Sequence, residues 1–178
     1  MARLVVLLRG VNLVRRNRIA MPAFREALEE AGYEDVSTYV QSGNAVLSSR
    51  KSAKRVQSEI GQLLADRFGL DVAVLVRTRA ELAAVVERNP FGKVATNPKL
   101  YQVTFLEVAP SAEVLHKLEA AAAGKERVAQ VGRELYAWHA DGVGRSKLAA
   151  LIAGKGLGVT ATARNWTTVT KLLEMVDR

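Results

Sequence analysis

The sequence predicts an α+β protein of two successive halves. Each half reads strand, helix, strand, strand, helix, strand, followed by one more helix. Three observations carry this reading. Apolar residues alternate between stretches of helical spacing and short runs or alternations typical of strands. Glycine, proline and capping residues punctuate those stretches at matching points in both halves. A shift of 87 places also lays Gly69-Leu70-Asp71-Val72 on Gly156-Leu157-Gly158-Val159, Arg77 on Arg164, and Glu87 on Glu174. The same shift puts Leu82, Val85 and Val86 on Val169, Leu172 and Leu173, so the apolar register survives and suggests an internal duplication.

In the first half, Arg3–Arg9 is a continuous apolar run, the pattern of a strand buried on both faces. Pro22 suits a first helical turn, Phe24, Ala27, Leu28 and Ala31 follow at helical spacing, and Gly32 ends the helix. Val36–Gln41 and Asn44–Ser49 read as strands joined by a two-residue hairpin loop at Ser42-Gly43. Ser52 caps a helix whose apolar face is Val56, Ile60, Leu63, Leu64 and Phe68, closed by Gly69. A strand then carries Val72, Val74 and Val76. Thr78-Arg-Ala-Glu81 has capping-box spacing and opens a helix that stops at Asn89-Pro90.

The second half repeats the order. Leu100–Glu107 is a strand, and Ser111 caps a helix carrying Val114, Leu115 and Leu118, stopped by Gly124. Arg127–Val131 and Glu134–Ala140 form a hairpin about Gly132-Arg133. Ser146 starts a short helix with Leu148, Leu151 and Ile152, and Leu157–Ala163 is the last strand. The final helix buries Trp166, Val169, Leu172, Leu173 and Val176. Each half thus matches the ferredoxin-like (alpha–beta plait) pattern: a four-stranded antiparallel sheet with helices on one face, plus an extra helix after it. The expected domains are residues 1–89 and 90–178.

Composition narrows the chemistry. With 49% hydrophobic and 25% charged residues in 178, the chain has the proportions of a globular protein with a real core. It has no cysteine, which excludes disulfides, thiolate catalysis and Cys-based metal sites. Two distant histidines, His116 and His139, argue against a His-based metal site, so no metal is expected and no cofactor is indicated. The apolar stretch Leu4–Leu8 is broken by Arg9 and lacks a small-residue cleavage site, so a cytoplasmic protein with no membrane partner is expected. The formal charge is +8, carried by 17 Arg and 9 Lys, and is unevenly spread. Residues 1–18 hold five Arg and no acid, which favours an anionic partner.

Several segments resemble one family. They are Leu7-Leu-Arg-Gly-Val-Asn12, Asn17 with Met21, Thr38-Tyr-Val-Gln-Ser-Gly-Asn44, Asn89-Pro-Phe91 and Thr162-Ala-Arg-Asn-Trp-Thr-Thr-Val-Thr-Lys-Leu172. Together they are similar to the signature segments of the bacterial domain-of-unknown-function family 1697. The resemblance implies two ferredoxin-like domains and brings no established activity with it. Where that family commonly has a glycine pair after the first motif, this chain has Val14-Arg15. A backbone anion nest would be weakened there, with Arg15 supplying a side-chain charge instead.

Topology brings candidate residues together. In a split β-α-β fold the end of the first strand and the hairpin between the second and third lie at one end of the sheet. Arg9 offers a planar donor fork, Gly10 permits close approach, and Asn12, Gln41 and Asn44 offer amide groups. With Arg15, and with Arg164 at the end of the last strand, they form the expected ligand-binding set for a phosphorylated or nucleotide-like small molecule. Scaffold roles compete: Gly43 and Asn44 suit a turn, and Arg9 could pair with Glu34 or Asp35. No His or carboxylate base lies in these segments, so catalytic residues are not indicated. A nucleic-acid-binding pair of plaits, and an enzyme acting on a phosphorylated metabolite, are the alternatives. Tyr101, Val103 and Phe105 on one strand face, and Tyr136 and Trp138 on another, are expected in the core rather than on a base-stacking platform.

Overall fold

The computed structural model describes residues 1–13 and 15–178; Val14 lies outside the described residues. The first sheet is built from β1 (Ala2–Leu8), β2 (Glu34–Tyr39), β3 (Asn44–Ser49) and β4 (Val74–Thr78), in the spatial order β2-β3-β1-β4. The helices of this half are α1 (Met21–Glu30), α2 (Ala53–Phe68) and α3 (Arg79–Glu87). The second sheet holds β5 (Tyr101–Leu106), β6 (Arg127–Val131), β7 (Glu134–Trp138) and β8 (Ala161–Asn165), in the order β6-β7-β5-β8. Its helices are α4 (Ala112–Ala121), α5 (Lys147–Ala153) and α6 (Trp166–Val176). All the ladders are antiparallel. Both sheets therefore have the plait order, with two plait-like α+β halves in one chain.

The chain divides into two compact units, residues 1–84 with 171–178, and residues 85–170. In the first unit, Leu4, Val6 and Leu8 of β1 pack with Phe24 and Leu28 of α1 and Val56, Ile60 and Leu64 of α2. Val5 and Leu7, on the other face of β1, are also fully buried, as the continuous apolar run requires. Each such side chain removed from water contributes about 1.5–3 kcal/mol. The C-terminal end of α6 belongs to this unit: the Arg3 guanidinium donates to the Met175 carbonyl at 3.1 Å, and Arg79 pairs with Asp177 at 2.6 Å. In the second unit, Leu106, Leu118, Leu135, Leu148, Ile152 and Leu157 form the core.

Helix starts follow the sequence signals. Ser52, Ser111 and Ser146 accept from the backbone N–H three residues on, each satisfying an orphan donor. The Thr78–Glu81 capping box is reciprocal, with Glu81 N donating to Thr78 Oγ1 and Thr78 N to Glu81 Oε2. Strand bounds need correction: β4 starts at Val74, past Val72, and β7 ends at Trp138 rather than Ala140. The β2–β3 hairpin turns over four residues, Val40–Gly43, because β2 ends at Tyr39 rather than Gln41. The last strand begins at Ala161, not Leu157. Leu157 instead ends a 3₁₀ turn and anchors in the core at 3% exposure, and Gly158 reverses the chain at φ +66°.

Candidate functional site at the end of the first strand

The expected convergence is present. Leu7 pairs with Asn44, Leu8 N donates to Gly43 O at 2.8 Å, and Arg9 N donates to Ala73 O at 2.9 Å. The end of β1 is thus pinned on one side by the hairpin and on the other by the approach to β4. Beyond it the chain turns at Gly10 (φ +63°), Asn12 (φ +55°) and Asn17 (φ +50°), and asparagine tolerates that left-handed region better than most residues. Asn12 N donates to Asn17 O at 3.0 Å, and Arg16 N to Leu13 O at 3.2 Å, closing a narrow tongue.

The asparagine amides are spent inside this structure. Asn12 Nδ2 donates to Ile19 O at 2.9 Å and to Gln41 O at 2.7 Å, while its Oδ1 accepts from Ile19 N at 2.9 Å. Both amide hydrogens are thereby used. Asn17 Nδ2 holds Gly10 O at 3.2 Å. Asn44 is fully buried, and its Nδ2 donates to Tyr39 O and Ser42 Oγ. Gly43 is dictated by space as well as by its φ of +78°, since a Cβ there would lie 2.5 Å from Val11 Cγ2 and 2.7 Å from Leu8 Cβ. Val40 adopts φ +49°, a costly conformation for a β-branched residue, on the exposed tip of the hairpin.

What the tongue presents outward is cationic. Arg15, Arg16 and Arg18 are exposed, and Arg9 is half-buried at its base. The Arg9 guanidinium makes no hydrogen bond or ion pair with another described residue. Asp35, one acid that could have neutralised it, accepts from Ser48 Oγ at 2.8 Å and pairs with Arg3 at 3.9 Å. Gln41 is exposed and contributes its carbonyl to the Asn12 clasp. The helix that follows starts without a side-chain cap at Ala20.

Arg164 lies in the other unit, in β8. It belongs to the expected ligand-binding set, and it is buried. Its guanidinium donates to Thr162 Oγ1 at 2.7 Å and to Ala163 O at 2.8 Å. Burial pulls its pKa down to about 10. Strand alternation explains the placement, because Arg164 shares a face with buried Thr162 while Ala163 points to solvent. Its neighbour Asn165 caps α6, accepting from Thr168 N at 2.9 Å.

The aromatic residues are interior. Tyr101 stacks on Trp166 at 5.0 Å and donates to Asn89 Oδ1 at 2.6 Å, and Tyr136 donates to Val85 O at 2.8 Å. Tyr101, Phe105, Tyr136 and Trp138 are all buried. Among the described residues no group of three or more His, Asp or Glu is placed to hold a metal ion. No helix among them is long and apolar enough to cross a membrane.

The model of a family of proteins of unknown function, DUF1697, matches residues 1–136. The chain belongs to the DUF1697 family. The match takes in the tongue, the hairpin and Asn89-Pro-Phe91, and ends before Thr162–Leu172. The conserved bacterial protein SP0830 from Streptococcus pneumoniae has a similar structure, with a TM-score of 0.78 over 98% of each chain at 19% identity. At that identity the likeness speaks for the fold alone, and it covers both halves of this DUF1697 member. No match was found among curated proteins.

A second polar centre, around His139, lies in the other unit. Fully buried His139 lies with Nδ1 3.1 Å from Glu126 Oε1 and 3.2 Å from Ser146 Oγ. Burial pushes the Glu126 carboxyl up, but hydrogen bonds from Ser146, Ala123 N and His139 outweigh it and hold it below the usual range. An ionised carboxylate only accepts, so the proton at this contact sits on His139 Nδ1. Glu126 and Ser146 meet the same ring nitrogen, which is the geometry of a structural pin and not of a proton relay. The only sequence signal was His139 itself, just past the end of β7 and ahead of the Ser146 cap.

Proposed function

We propose that this DUF1697 protein binds a phosphorylated or nucleotide-like anionic small molecule at the end of β1, with Arg9 as the principal ligand-facing charge. The observation that carries this is the guanidinium of Arg9, held at the base of a hydrogen-bonded loop with no protein partner among the described residues. A planar donor fork whose hydrogens are unspent suits bidentate binding of phosphate or carboxylate. Arg15, Arg16 and Arg18 on the tongue add to the positive field and steer anions toward it. Asn12, Asn17 and Asn44 act as the frame of the site, and Gly10 supplies the turn beside Arg9.

The test is thermal unfolding of wild type and Arg9→Ala across titrations of inorganic phosphate and of nucleoside mono-, di- and triphosphates at fixed ionic strength. Binding to the folded state alone raises the melting temperature of wild type with ligand concentration, and Arg9→Ala abolishes that response. A wild-type melting temperature indifferent to every anion overturns the reading. Affinity for duplex or single-stranded oligonucleotides that falls steeply with salt, without any response to small phosphates, would favour the nucleic-acid alternative.

A further inference from the structure

We infer that the second unit contains a binding site for a small zwitterion of amino-acid size. It lies in the cavity between the loop after α4 and the loop that leads into α5. The cavity is about 280 Å³ and is lined by Gly124, Glu126, Asp141, Gly142, Arg145 and Lys147, with Ala123 and Ser146. That volume sits just under the usual range of small-molecule pockets, about 300–1,000 Å³, so it suits one small metabolite and is too small for a dinucleotide.

The charges differ in kind from those of the Arg9 tongue. Two carboxylates, Glu126 and Asp141, share this cavity with two cations, Arg145 and Lys147. Glu126 is nearly buried and is fixed by Ala123 N at 3.1 Å and His139 Nδ1 at 3.1 Å. Ser146 also hydrogen-bonds Glu126, and with about four acceptor positions on a carboxylate one remains for a ligand ammonium. Asp141, Arg145 and Lys147 are exposed and make no side-chain hydrogen bond or ion pair with another described residue. The two loops face each other: Asp141 Oδ2 lies 3.8 Å from where a Cβ on Gly124 would stand. Gly124 (φ +59°) and Gly142 (φ +97°) keep the opening free of side chains. An anion alone would meet two carboxylates here and a cation alone two basic groups. A molecule carrying both charges satisfies all four.

The experiment is amide NMR of the full chain titrated with the standard L-amino acids one by one, with methylamine and acetate as single-charge controls. At least one amino acid should shift the Gly124, Gly142 and Ser146 signals along a saturating curve, and the controls should leave them unmoved. Asp141→Asn and Arg145→Ala, both at exposed positions, should each weaken that binding about tenfold or more, the loss expected for a charge-assisted hydrogen bond, without changing the melting temperature of the free protein. The inference is overturned if no amino acid shifts these signals or if the controls shift them equally. It is also overturned if both variants bind like wild type. None of these outcomes depends on Arg9, whose phosphate response is read separately.

Discussion

Asn12 Nδ2 donates to the Gln41 carbonyl at 2.7 Å, joining the tongue after β1 to the β2–β3 hairpin across 29 positions of sequence. The same side chain holds both backbone groups of Ile19, so three hydrogen bonds depend on one amide. Asn12→Ala is expected to cost about 4–5 kcal/mol, from about 1 kcal/mol for each of the three bonds plus about 1–2 kcal/mol for alanine at a left-handed φ. Asn12→Asp should be no better, since a carboxylate faces the Ile19 and Gln41 carbonyls without a hydrogen to offer. Urea unfolding gives the answer directly. An unchanged midpoint for Asn12→Ala would mean that the clasp does not stabilise the fold.

Gly43 and Gly10 separate two reasons for glycine. Gly10→Ala meets no atom within 4 Å and carries only the backbone penalty of φ +63°, about 1 kcal/mol. Gly43→Ala adds a collision with Leu8 and Val11 in a buried position, and is expected to cost about 3 kcal/mol or more. Equal losses for the two variants, measured by urea unfolding, would show that the hairpin can shift away from β1 at little cost.

The contrast between these glycines shows where the sequence was legible. Strand β1 was readable because Leu4–Leu8 is apolar without interruption, and the helix starts because Ser52, Ser111 and Thr78 are local signals resolved within three residues. The meeting of Arg9 with the hairpin followed from plait topology, which needs only the element order. The roles within the meeting were not readable. Asn12 closes on backbone carbonyls of Ile19 and Gln41, and a carbonyl leaves no mark in the sequence. Arg164 shares its strand face with Thr162 whichever strand start is taken, and the burial of that face comes from packing that the local sequence does not report. The Glu126 cavity is built by two loops, where no periodicity reports position.

Glu59 should shape the acid limb of stability. Lys51 and Arg55 donate to it at 2.6 and 2.7 Å, and with Tyr33 they hold its carboxyl down at about 2. A folded-state value below the unfolded one means that the contribution is present at neutral pH. It is lost as pH falls from the ordinary carboxylate range toward about 2. Glu59→Gln should flatten that limb while leaving the dependence above pH 6 unchanged. Because Lys51 and Arg55 are largely exposed, high salt should shrink the difference between wild type and variant. Acid titrations of the melting temperature at low and high salt test both expectations.

Arg9 and Arg164 provide the sharpest division between ligand and scaffold. Both end an inner or edge strand of a plait, and both are arginines in motifs that resemble the same family. Arg9→Ala removes a side chain with no partner among the described residues, so its stability should stay within about 1 kcal/mol of wild type. Arg164→Ala removes a buried guanidinium that donates to Thr162 and Ala163, and stranding those acceptors should cost about 3 kcal/mol or more. The anion response should divide the opposite way, absent in Arg9→Ala and retained in Arg164→Ala at temperatures where that variant is folded. Arg164→Lys gives a third point: it keeps a charge but not the fork, so it should recover part of the stability and leave the anion response as it is in wild type. If Arg9→Ala proves the more destabilised of the two, Arg9 serves the fold, and the anion site at the end of β1 loses its foundation.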